Sequence, residues 1–342
     1  MTLAKTITEV ADHDRERGGE GANPASGRRV LLVHGRDFKP QSDTLLHMSR
    51  DAIVSGLKRD FPDAQTAAED LELELAWYGD LSGDVLLSQG RRYDERLDVG
   101  DRHNALKALK QLTARKRFGI HHYDRLPGKS ALKEFVADMA LPVLANLGMW
   151  HGVCRRHAPD FAEYLRRESE YAAAVRDRVR ARLEAMFARG DRILLLTHGT
   201  GSVVAWDVLW QLSQENVTGK VDLWVTTGSP LGDTQVRRHL LGADRPAGAR
   251  FPTNVISWCN VSAEDDFTCH DKTLANDYRR MLDDRLVSVI RDFRIYNHAV
   301  RYGRSNPHSS VGYLIHPRLS RIVADWLGVV PAPAPAADED DD

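Results

Sequence analysis

The passage that most restricts the fold is residues 192–214, RILLLTHGTGSVVAWDVLWQLSQ. A short apolar run is turned sharply at Gly199 and Gly201 into a segment whose apolar residues recur at helical spacing. A strand that turns at once into a helix belongs to sheets whose strands run parallel. The flanking sequence repeats the pattern. RVLLVHG (29–35), LELELAWYG (71–79), KVDLWVTTGSP (220–230) and NVISWCNVSA (254–263) read as strands. TLLHMSRDAIVSGLKRDF (44–61), EYAAAVRDRVRARLEAMFARGD (170–191, with Gly190 placed as its C-cap), 201–214 and HPRLSRIVADWLG (316–328) read as helices. The expected class is α/β, with a mostly parallel central sheet and helices on both faces.

Three regions depart from this rhythm. Residues 1–27 are polar and glycine-rich and read as a disordered arm, and 330–342 (VPAPAPAADEDDD) as a disordered acidic tail. Residues 80–169 read as a helical insertion within a single domain over 28–329. Its apolar stretch 139–150, with Leu147, Met149 and Trp150, suits core packing better than a surface for an acyl chain.

Composition narrows the function. With 47 Lys and Arg against 49 Asp and Glu, the chain has no general attraction for nucleic acid. Three cysteines, an odd and sparse set, point to a reducing compartment without a disulfide framework. Cys269-His270 lacks the paired Cys-x-x-Cys of a metal site, so neither metal nor cofactor is expected. The N-terminus lacks a secretory apolar core, and no stretch reaches the ~18 apolar residues of a membrane span. Cytoplasmic location is the expectation.

In parallel sheets, chemistry gathers where strands end. Gly35 and Arg36 follow the strand at 30–33, where a glycine lets the chain turn and aim an amide into a pocket. Thr197 and Gly201 are the small residues that flank a tight strand-to-helix turn, and the Thr200 amide is the second oxyanion donor. In NVSAEDDFTCHD (260–271), Asp266, or alternatively Asp265, is placed to orient a histidine. In SNPHSSVGYL (305–314), Pro307 stiffens the loop that carries His308.

The segments THGTGSVVAWDVL, TTGSPLG, NVSAEDD and NPHSSVGYL, in that order, resemble the α/β-hydrolase superfamily of serine esterase and lipase type. The resemblance spans roughly residues 28–328 and covers 80–169 least. It implies that Asp266 is the triad acid and His308 the triad base, with Gly35, Arg36 and Thr200 forming the oxyanion site. It also implies a serine at position 199, where this chain has glycine. Thr197, Thr200 and Ser202 each lack the apex geometry to replace it. The resemblance implies carboxylic-ester chemistry on a small ester or acyl ligand; with glycine at 199, that activity is either lost or run through a water activated by Asp266 and His308. The alternative is a noncatalytic protein that binds such a ligand or a protein partner.

Overall fold

The computed structural model describes residues 27–128, 150–166, 168–269 and 271–329. The expected arm up to Ser26, the acidic tail, His270 and residues 139–149 lie outside these, as does the Trp150 side chain. Six strands form one sheet: β1 (Arg28–Val33), β2 (Glu72–Ala76), β3 (Arg192–His198), β4 (Val221–Thr227), β5 (Val255–Ala263) and β6 (Val289–Ile295). The spatial order is β2-β1-β3-β4-β5-β6, and every pairing is parallel. Four of the helices pack on this sheet: α1 (Ser42–Asp60), α6 (Glu170–Arg189), α7 (Gly201–Gln214) and α8 (Pro317–Leu327). Between β2 and α6 lie α2 (Gly79–Ser88), α3 (Glu95–Lys110), α4 (Trp150–His157) and α5 (Pro159–Tyr164).

Alternation along each strand divides the core into two layers. Val30, Leu32, Leu194, Leu196, Leu223 and Val225 face α1 and α8, meeting Ile53, Leu57, Ile322 and Trp326. Leu31, Val33, Ile193, Leu195, Trp224 and Trp258 face α6 and α7, meeting Val179, Leu183, Val208 and Leu212. The Trp224 and Trp258 rings stack with centroids 4.5 Å apart, which binds β4 to β5 on that face. The continuous apolar character of 193–196 thus reflects burial on both sides.

The sheet edge departs from the reading above. β6, VIRDFRI, lacks the apolar run or the regular alternation that marks the other strands. It has one neighbour, β5, and its mixed polar pattern reflects an edge strand that is only partly covered. Elsewhere the expected ends hold closely. Gly190 caps α6 with φ of 73°, and Gly328 caps α8 at 75°. Among the described residues, no helix is long and apolar enough to cross a membrane.

The order of strands reverses between β1 and β3. The connection after β1 leads outward to β2, whereas those after β3 lead the other way, to β4, β5 and β6. The crevice at such a reversal, outside the carboxyl ends of the strands, is where open parallel sheets bind ligands. The loops leaving β1 and β3 meet there closely. A Cβ on Gly201 would lie 2.3 Å from the His34 carbonyl oxygen, and one on Gly35 would lie 2.9 Å from the His198 carbonyl oxygen. Only glycine lets the two backbones touch.

Candidate active site

At that crevice β3 ends in the turn His198-Gly199-Thr200, and α7 begins at Gly201. Gly199 has φ of 55° and hydrogen-bonds its amide to the Thr227 carbonyl at 2.9 Å, so the turn is anchored on β4. The left-handed backbone is strained for any residue with a Cβ, by about 1–3 kcal/mol, and glycine removes that strain.

His308 reaches the same point from the opposite direction. Its Nε2 lies 3.0 Å and its Cε1 3.2 Å from where a Cβ on Gly199 would stand. The loop that carries it is braced on both sides. Asn297 donates its side-chain amide to the carbonyls of Pro307 and Ser309, at 2.8 and 2.9 Å. His198 Nε2 donates to the His308 carbonyl at 2.9 Å, and the two rings lie 4.5 Å apart. Burial pushes the His198 imidazole well below its ordinary pKa, so it serves as a neutral donor.

The other ring nitrogen of His308 meets Asp266. Nδ1 lies 3.1 and 2.9 Å from the two carboxylate oxygens. Asp266 also accepts from the Tyr313 hydroxyl at 2.7 Å and from the Thr268 amide at 3.0 Å. Burial alone would raise its pKa. The His308 imidazole and these donors outweigh burial, and the carboxyl falls well below its usual range. An ionised carboxylate on Nδ1 fixes the proton there and leaves Nε2 as an acceptor, facing the bare Cα of residue 199. Gly228, at φ of 55°, makes the room for this contact. A Cβ there would lie 2.8 Å from Asp266 Oδ2 and 3.0 Å from His308 Nδ1.

Asp265 takes no part. It sits at φ of 60° and accepts from the Tyr123 hydroxyl at 3.0 Å, away from His308. Thr197, Thr200 and Ser202 are also committed elsewhere. Thr197 Oγ1 accepts from the Trp224 indole at 3.1 Å. Ser202 Oγ donates to the Gly199 carbonyl and contacts Ser229 Oγ, both at 2.6 Å.

The two expected oxyanion donors differ. The Thr200 amide has no hydrogen-bond partner among the described residues. The Arg36 amide is already spent on Thr200 Oγ1 at 2.7 Å. Its loop is held in place at the next residue, Asp37, where φ is 79° and the amide donates to Asp160 Oδ2 at 2.6 Å.

These groups open into a cavity of about 310 Å³ lined by Gly35, Arg36, His198 and His308 together with residues from further along the chain. Lys39 is one of them. Its ammonium donates to the carbonyls of Arg36, Asp37 and Phe38, and burial pushes its pKa down to about 8. Tyr93, Asp98 and Arg102 come from the segment after β2, and Arg301 and Tyr302 from the hairpin after β6. No sequence motif marks any of these residues. Lys39 and Arg102 are ordinary surface types in polar segments, and only the fold turns them inward. No cluster of His, Cys, Asp and Glu able to hold a metal ion occurs among the described residues. Comparison of the chain with known protein families, curated proteins and solved structures finds no match in any of the three.

Proposed function

We propose that this chain is an α/β-hydrolase-fold protein that hydrolyses a small carboxylic ester by activating water directly, without a covalent acyl intermediate. The observation that carries the reading is the position of His308, with Asp266 on Nδ1 and Nε2 turned to the bare Cα of Gly199. The strand order, with its reversal beside this turn, and the chain order Gly199, Asp266, His308 support it as well.

In the proposed reaction, water gives a proton to His308 Nε2 as its oxygen adds to the ester carbonyl. Asp266 stabilises the imidazolium that forms. The Thr200 amide donates to the developing oxyanion. Collapse of the tetrahedral intermediate breaks the bond to the alcohol oxygen, which takes the proton back from the imidazolium. Carboxylic acid and alcohol leave, and His308 returns to its starting state. General-base catalysis of this kind is worth about 10²–10⁴-fold, which suits a reactive ester.

The test is the hydrolysis of an aryl acetate by the protein and by His308→Ala. The substitution is expected to lower kcat/KM by about 100-fold or more, the low end of what a positioned base contributes. Unchanged hydrolysis in His308→Ala would remove the imidazole from the reaction. The absence of hydrolysis in the unsubstituted protein would favour the binding alternative, for which the occupied Arg36 amide is the specific observation.

A further inference from the structure

The cavity wall beyond His308 is built around one carboxylate. Asp98, on α3, is buried and accepts from four donors: Arg102 Nε at 2.8 Å, Arg301 Nη2 at 2.6 Å, the Tyr93 hydroxyl at 3.0 Å and the Tyr302 hydroxyl at 3.2 Å. Arg301 has a second carboxylate, Asp101, on its Nε. Arg102 has only its share of Asp98. Its side chain is 11% exposed, it lines the cavity, and its two terminal nitrogens have no hydrogen-bond partner among the described residues. The Lys39 ammonium lines the same cavity, and its hydrogen bonds among the described residues all go to backbone carbonyls. The Ser309 hydroxyl, also on this wall, is buried without a hydrogen-bond partner among the described residues.

The cavity is partly open, so the terminal nitrogens of Arg102 can meet a ligand that enters it, and the planar guanidinium fork matches a carboxylate. The lining carries Arg36, Lys39, Arg102 and Arg301 against Asp37 and Asp98, with Asp101 paired to Arg301, so the wall keeps an excess of positive charge. The cavity is also at the small end of ligand sites.

We propose that the cavity selects a small ester that itself carries a carboxylate, with the terminal nitrogens of Arg102 binding that carboxylate while the ester faces His308. This rests on the ester-hydrolase reading for the ester half, but the carboxylate half can be tested separately. Arg102 is then a specificity-determining residue, and it plays no part in the chemical step.

The experiment compares 4-acetoxybenzoate with 4-tolyl acetate, which present the same acetyl ester with and without a remote carboxylate. Calorimetry with benzoate, against benzamide, reports binding without chemistry. The unsubstituted protein is expected to prefer 4-acetoxybenzoate at least tenfold in kcat/KM, and Arg102→Met to lower that ratio to threefold or less. Arg102→Lys, which keeps the charge and loses the fork, is expected to fall between them and guards against a folding defect in the methionine variant. Benzoate is expected to bind the protein better than benzamide and to lose that advantage in Arg102→Met. Equal use of the two esters by the unsubstituted protein, or a preference that survives Arg102→Met, would overturn the proposal. If neither ester is cleaved, the benzoate titration still decides. Binding that depends on Arg102 keeps the carboxylate site and rejects the hydrolase reading, and binding indifferent to Arg102 rejects the carboxylate site.

Discussion

Gly199→Ser is expected to raise ester hydrolysis at least tenfold over the unsubstituted protein and to introduce a burst of product as the new hydroxyl is acylated. The Asp266–His308 pair is already assembled, and Nε2 stands 3.0 Å from the Cβ position. That separation also limits the gain. A Cβ at 3.0 Å is too close, so the imidazole must withdraw by a few tenths of an ångström to accept the hydroxyl proton. Loss of a triad serine typically costs about a millionfold. A histidine settled toward an empty position recovers only part of this, and about 10- to 1,000-fold is expected once the activity of the water route is taken as the baseline. Gly199→Ala is the control. It carries the same strain at φ of 55° and the same crowding of His308 without a nucleophile, and it is expected to fall below the unsubstituted protein. A serine variant no faster than the alanine variant would mean that the pocket is not arranged for acyl transfer.

Acidification from pH 7 to pH 5 is expected to destabilise the fold well before most carboxylates titrate. Three histidines are held neutral in the folded chain. Burial, with the Lys39 charge nearby, pushes His34 down to about 3, and burial drives His198 and His316 well below their ordinary value. The hydrogen bonds agree. His34 Nε2 accepts from the Tyr78 amide at 3.0 Å, and His316 Nδ1 accepts from the Arg318 amide at 3.0 Å, so a proton on either nitrogen displaces a backbone donor. Below about pH 6.5 the unfolded chain binds protons on these rings and the folded chain does not, so stability is lost as the pH falls, for His34 down to about 3. Each fully buried ring contributes about 1.4 kcal/mol per pH unit in this window. With His198 partly exposed, His34 and His316 carry most of this loss. Urea unfolding at pH 7, 6 and 5 is the check. A falling midpoint is expected, and an unchanged midpoint across that range would contradict the neutral, buried state of these rings.

The parallel sheet was legible because its central strands are buried on both faces, which leaves apolar runs such as 193–196 that end at glycines where the chain must turn, and because β2, at one edge, keeps a regular alternation. β6 escaped because an edge strand with one neighbour tolerates Arg291, Asp292 and Arg294 within it. The positions around Gly199 were legible because a close crossing of strand and helix admits few residue types, and Gly35 and Gly201 are needed for the contact itself. Asp265 and Asp266 could not be separated in sequence. Their side chains diverge because Asp265 adopts a left-handed backbone and turns to Tyr123, while Asp266 turns to His308 and Tyr313. The wall formed by Lys39, Asp98, Arg102 and Arg301 left no sequence signal at all. Its members come from three distant segments, and a buried arginine looks like a solvated one until its neighbours are placed.

The most direct measurement mixes excess protein with a reactive aryl acetate and follows both released phenol and the intact mass of the chain through a single turnover. With water as the direct nucleophile, phenol and acetate appear together, faster than in His308→Ala, while the protein mass stays unchanged throughout. A transient acetylated chain, or phenol release no faster than in buffer, would contradict it.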